Sequence, residues 1–163
     1  MNAVPPEPAQ SYLQLRNRIL DLNPAELGLT PTQVAPHIWG VMMEMGYEEG
    51  TATLVSLADG TTSLQYSTGG GLLGRGDYAP VAEASKSLIH QAENFLQYTS
   101  ITQDFPLPDV GQVRFILLTY TGTYAAHAFE KSLVSNDHPL APLFKVAQEA
   151  LSQLRVLAEK RRK

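Results

Sequence analysis

The chain contains no cysteine. That absence excludes a disulfide framework, a cysteine nucleophile, a thiolate zinc site and an iron–sulfur cluster. It suits a reducing compartment, and a cytoplasmic location is the expectation. No apolar run approaches the roughly 18 residues of a membrane-spanning helix, so no membrane partner is expected. The opening Met1-Asn2-Ala3-Val4-Pro5-Pro6-Glu7-Pro8 has neither a basic nor an apolar stretch and does not read as a secretory signal. Charge is also sparse. Only 17% of residues are charged, and 12 basic against 16 acidic residues leave a net charge of -4. That balance argues against a broadly basic nucleic-acid binder. Signature motifs are missing too: there is no G-x-S-x-G elbow, no H-E-x-x-H pair and no Gly-Lys-Ser/Thr phosphate loop.

What is present is a well-patterned globular chain. Its 163 residues fit one domain of the usual length, about 150 residues. The 44% hydrophobic content supports a full core without staples. Pro5, Pro6 and Pro8 predict an extended, mobile lead-in over 1–9. A single α+β domain follows over 10–160, and a basic tail closes the chain over 161–163.

Tyr12, Leu15, Ile19 and Leu22 recur at helical spacing, and Asn23-Pro24 stops that helix. Residues 24–30 read as a loop or one short turn. Val34, Ile38, Val41 and Met45 predict a second helix, widened by Trp39 and Met42 and closed by Gly46 as a left-handed C-cap. The period then shifts to two. Residues 51–58 and 61–68 read as hairpin strands around Asp59-Gly60, a dipeptide suited to a type I′ turn. Residues 69–76 read as a glycine-rich loop, and Asp77 as the N-cap of a long helix ending near Tyr98. After a loop over 99–111, residues 113–120 and 123–129 form a second hairpin turning near Gly122. Asn136 or Asp137 caps the last helix, with Pro139 in its first turn. The core face of that helix is Leu140, Leu143, Phe144, Ala147, Leu151 and Leu154.

The order α-α-β-β-α-β-β-α predicts an α+β fold. Two hairpins make an antiparallel sheet of four or five strands, with helices packed on it in one layer. The strand over 113–120 is apolar on both faces and belongs inside the sheet. The amphipathic strand over 61–68 belongs near an edge.

Few residues stand out chemically. Gly69, Gly71 and Gly74 match G-x-G-x-x-G, but the preceding strand belongs to a hairpin, and no acidic residue ends the next strand to bind a ribose. A weaker role remains open. Gly69, Gly70, Gly71, Gly74 and Gly76 can present backbone N–H groups to an anion, with Arg75 adding charge; the alternative is a plain connection. His37, His90, His127 and His138 are not paired at metal-ligand spacing. Glu44, Glu48 and Glu49 cluster near a helix end and loop and read as a solvated face, the alternative being an acidic cation site. No catalytic residue, metal site or cofactor is expected. Trp39, Met42 and Met43 add more apolar surface than one helix stripe needs, which suits an interface or, alternatively, burial within one chain.

Two resemblances bear on this reading. The run Trp39-Gly40-Val41-Met42-Met43-Glu44-Met45-Gly46-Tyr47, with Ala58-Asp59-Gly60-Thr61-Thr62-Ser63-Leu64-Gln65-Tyr66-Ser67-Thr68-Gly69-Gly70-Gly71, resembles a group of uncharacterised bacterial proteins. That likeness implies no activity, cofactor or partner. The element order resembles the roadblock/longin class, apart from the extra N-terminal helix. That likeness implies helices on an antiparallel sheet, dimerisation and a platform for partners. The expected function is a non-enzymatic cytoplasmic interaction or regulatory domain, working as a homodimer or with a protein partner. The alternative is a small-ligand or anion-binding protein using Gly69–Gly76. A third is an enzyme whose site gathers distant residues.

Overall fold

The computed structural model of the chain describes residues 4–162. The expected lead-in over 1–9 and basic tail over 161–163 fall partly outside the described residues, at 1–3 and 163. Helix α1 spans Gln10–Leu20, and a single 3-10 turn covers Pro24–Leu27. Four strands follow: β1 (Ile38–Tyr47), β2 (Gly50–Leu57), β3 (Thr62–Tyr66) and β4 (Gly71–Gly74). Helix α2 (Ala79–Ala92) tightens into a 3-10 turn over Glu93–Tyr98. Then come β5 (Ser100–Ile101), β6 (Gln112–Thr119) and β7 (Gly122–Phe129). The short α3 (Glu130–Val134) and long α4 (Ala141–Arg161) close the fold. The strands form one antiparallel sheet in the order β4-β3-β2-β1-β6-β7-β5. This is an α+β fold, as the sequence predicts. Among the described residues no helix is long and apolar enough to cross a membrane.

The predicted second helix is a strand. Residues 38–47 form β1, bonded to β2 on one side and β6 on the other. A strand buried on both faces reads as a continuous apolar run rather than an alternation. Here Ile38, Val41 and Met45 fall at helical spacing because almost every position is apolar. Gly46 is not a C-cap: the Pro108–Asp109 backbone occupies the space where its Cβ would stand.

The sheet is wider than expected because β1, β5 and part of the glycine-rich stretch, as β4, also pair. Leu72 and Leu73 align with Leu64 and Ser63, so β4 covers β3. Strand β6 is interior, as expected. Both predicted hairpins form, but the first turn is not type I′. Gly60 sits at φ 93, whereas Asp59 is not among the positive-φ residues. Gly60 N–H donates to Leu57 O, and Leu57 N–H donates to Thr61 O. This is a type I turn closed by a glycine bulge. Asp59 contributes through its side chain, with Oδ1 accepting from Thr61 N–H at 2.9 Å.

Helix starts also differ. Tyr78, not Asp77, is the N-cap residue of α2. Asn136 and Asp137 do not cap α4, which begins at Ala141 with Pro142 in its first turn. Asn136 instead takes φ 61 just past the end of α3. The expected core face of α4 is buried throughout.

Helices cover both faces rather than one. On the first face α2 and α4 bury a large cluster including Val41, Met43, Leu88, Phe115, Leu117 and Leu151. On the second face lies a smaller cluster of Trp39, Met42, Val55, Ile116 and Leu118, against which Ile19, Leu20 and Phe105 pack.

Candidate functional site

A polar row crosses the second face. Strand register aligns Gln65, Thr53, Glu44, Arg114 and His127 on β3, β2, β1, β6 and β7. The neighbouring row is apolar at its centre, with Met42 between Val55 and Ile116. Helix α1 lowers Tyr12 and Arg16, four residues apart and so on one face, onto the polar row. Arg16 Nε and Nη2 donate to Glu44 Oε2 and Oε1, each at 2.8 Å, and Nη2 also donates to Phe105 O at 2.7 Å. Thr53 Oγ1 donates to Glu44 Oε2 at 2.9 Å and shares a 2.6 Å hydrogen bond with the Tyr12 hydroxyl. Glu44 is 0% and Arg16 7% exposed. Leu15, expected on the inward face of α1, points outward at 38% exposure.

Burial, followed by the Glu44 charge, pushes the Tyr12 phenol from 10.0 up to about 12. Burial works against the Arg16 charge, but Glu44 outweighs it and leaves the pKa raised. Both Glu44 oxygens are engaged. The cluster therefore clamps α1 to the sheet in one register rather than presenting a reactive group.

The open concavity lies at the end of the sheet, around Tyr47. A cavity of about 270 Å³ lies among Tyr47, Tyr66 and Arg155. A more open one of about 660 Å³ lies across Tyr47, against Val110, Glu130 and Val134. A third of about 330 Å³ shares Val134 and reaches Phe144. The first two share Tyr47 and Glu49 and the last two share Val134, so the three lie side by side along the β1–β2 turn and α3. The middle section carries Glu48, Glu49 and Glu130 against Lys131. The Tyr47 hydroxyl donates to Met45 Sδ at 3.4 Å. Burial raises the Tyr47 pKa first; Glu130 and then Glu49 add to the rise, and Arg155 opposes it.

The outer edge of β7 is open over its second half. Strand β5 pairs with it only at Ser100–Ala125 and Ile101–Tyr124. Thr102 N–H donates to Thr123 O. By the alternation of an antiparallel ladder, both backbone groups of His127 and the N–H of Phe129 also point outward; the Phe129 C=O serves the N-cap of α3. Beyond Ala125 no strand among the described residues pairs with this edge. Around it Phe129 is 62%, Ile101 64% and Tyr98 48% exposed.

The residues singled out in the sequence are dispersed. Trp39, Met42 and Met43, expected at an interface, are all buried in the single chain. They sit on a central strand, where both faces are covered. Gly69 and Gly70 form a hairpin tip at φ 112 and 80. Gly71 and Gly74 belong to β4. Gly74 is packed so closely that a Cβ would lie 2.9 Å from Val81 and 3.0 Å from Leu154. Gly76 would meet Asp59 O at 2.7 Å. Steric need thus accounts for these glycines without an anion. Arg75 is exposed; the arginines beside β4 are Arg161, which donates to Leu73 O, and Arg162, which pairs with Glu159.

The expected acidic cluster divides: Glu44 is buried, whereas Glu48 and Glu49 are exposed. Among the histidines, His37 Nδ1 lies 2.8 Å from Glu93 Oε1. His138 Nδ1 accepts from Leu140 N–H at 3.0 Å, a local role beside the start of α4. The described residues hold no group of three or more side chains suited to a metal ion. Sequence reasoning missed Arg16 and Tyr47. Arg16 left one signal, a charge one turn from Tyr12 on an otherwise apolar stripe. No family model matches the chain, and no curated protein or solved structure matches it.

Proposed function

We propose that the chain is a non-enzymatic cytoplasmic interaction domain that forms a homodimer, and that two copies meet along the outer edge of β7. A chain without cysteine suits that compartment. The observation that carries the proposal is the half-paired edge. Unpaired N–H and C=O groups template another strand, and both groups of His127 and the N–H of Phe129 have no strand partner among the described residues. The exposed Phe129 at this half of the edge supplies aromatic area that an interface desolvates; Ile101 lies on the half that β5 pairs, in register with Tyr124. One edge paired antiparallel with its own copy makes a closed two-fold contact. The resemblance to roadblock/longin domains lends no support here, because it rested on an order in which residues 34–46 are a helix.

The substitution Phe129→Asp tests the edge. Phe129 is the N-cap residue of α3 and makes no side-chain cap bond. Aspartate is a favoured N-cap, so the change leaves the single chain at least as stable while placing charge on the edge. Light scattering at micromolar concentration is expected to give two chains for the wild type and one for Phe129→Asp. A wild-type mass of one chain, unchanged on concentrating about tenfold, overturns the dimer. A Phe129→Asp protein that remains two chains overturns the edge.

A further inference from the structure

We infer that the groove around Tyr47 binds a cationic peptide segment of a partner protein. An apolar side chain of that segment sits among Tyr47, Val110 and Val134, and its lysines or arginines face Glu48, Glu49 and Glu130.

Shape comes first. Small-molecule sites are concave and enclose most of their ligand. Here the cavity of about 660 Å³ across Tyr47 is open, with smaller ones of about 270 and 330 Å³ beside it that share Tyr47 and Val134. An open concavity of this kind suits a chain segment better than a compact ligand. The floor is apolar and wet: Tyr47 is 39%, Val110 43% and Val134 65% exposed. Exposed apolar side chains gathered in a groove mark an interaction site more often than scattered ones do.

Charge then selects the occupant. Among the described residues, Glu48, Glu49 and Glu130 line the middle section against one base, Lys131; the flanking cavities add Arg155 on one side and Lys145 with Glu149 on the other, so the acidic excess lies in the middle section. Glu130 starts α3 and is held there by its N–H, which donates to Gly111 O at 2.9 Å. An acidic segment or a phosphate backbone meets repulsion here, and a cationic segment meets complementary potential. After burial, Glu130 and Glu49 favour the protonated phenol of Tyr47, and Arg155 opposes them.

The test is fluorescence anisotropy on the full chain with three short labelled peptides. One alternates lysine and leucine, one lysine and serine, and one glutamate and leucine. The Lys/Leu peptide is expected to bind at least about tenfold more tightly than either of the others, with affinity falling as salt rises. Val134→Lys and Glu130→Lys are each expected to weaken it by at least about tenfold, with unchanged melting temperatures showing that the fold survives. Phe129→Asp, which adds a carboxylate beside Glu130, is expected to bind at least as tightly as the wild type, which separates this inference from the dimer. Equal binding of the three peptides, no binding of the Lys/Leu peptide, or undiminished binding by Val134→Lys overturns it. If Val134→Lys instead lowers the light-scattering mass to one chain, a second copy occupies the groove and the inference falls.

Discussion

On the face covered by α2 and α4, Leu88, Phe115 and Leu117 are 0% exposed within one apolar cluster. On the face covered by α1, Glu44 is just as buried, yet it meets a guanidinium and a hydroxyl. Apolar burial is non-directional and roughly proportional to area. It holds α2 and α4 without requiring one exact partner for each side chain. The Arg16–Glu44 pair is directional. It stabilises only the placement of α1 that brings both nitrogens onto both oxygens. It also carries the cost of desolvating two charges, which a well-packed apolar pair avoids. The first face draws its stability from area, and the second draws its helix register from geometry.

The largest effect expected from breaking this contrast is at Glu44. Glu44→Ala leaves Arg16 buried without its counter-charge, and urea denaturation should show a loss of about 3 to 5 kcal/mol. The double variant Arg16→Met/Glu44→Leu should recover most of that loss, because it removes both desolvated charges together. Equal losses in the single and double variants would show that shape, not charge, secures α1.

Next is Leu88→Ala on the first face, where a cavity should cost about 2 to 5 kcal/mol. That difference from wild type should be the same at neutral and alkaline pH, since Leu88 lies in an apolar cluster. A pH-dependent difference would blur the distinction between the faces.

The smallest effect is alkaline and belongs to the second face. Folding raises the Tyr12 pKa from 10.0 to about 12, so the folded state favours the protonated phenol. Stability is intact below the unfolded value and falls as pH rises from about 10 to about 12. At about 1.4 kcal/mol per pKa unit the full loss is about 2 to 3 kcal/mol. Tyr12→Phe should flatten that slope. An unchanged slope in the variant would place the alkaline sensitivity at other tyrosines, with Tyr47 and Tyr120, also raised by burial, next to examine.

Much of the architecture was legible where a turn or a wet face marks the element. The hairpin around Asp59-Gly60 and that of β6 and β7 are marked by their turns although β2 and β6 are buried on both faces, and α4 shows its helical period. Legibility failed in β1, which is dry on both faces and bounded by no such turn dipeptide. Strand β1 has no polar alternation apart from Glu44, so its apolar run satisfies a helical template as readily as a strand. The glycine-rich stretch failed for another reason: turn glycines and packing glycines look alike in sequence, and Gly69, Gly70 and Gly76 are at turns while Gly71 and Gly74 are in β4. Of the candidate sites, the groove needs Tyr47, Val110 and Val134 from three separate elements, and no local pattern links them.

The amino-acid sequence by itself determined the α+β class, the two hairpins, the amphipathic face of α4 and the exclusion of thiol chemistry. These follow from local period, turn geometry and composition, which act over a few residues. Tertiary structure alone decided that β1 is a strand, that helices cover both faces, and that Arg16 meets Glu44 across 28 residues and Tyr12 meets Thr53 across 41. The physical reason is that strand pairing is a long-range choice. A register shift of one residue would turn Glu44 to the other face, away from Arg16, and nothing within a short stretch of chain records which register is taken.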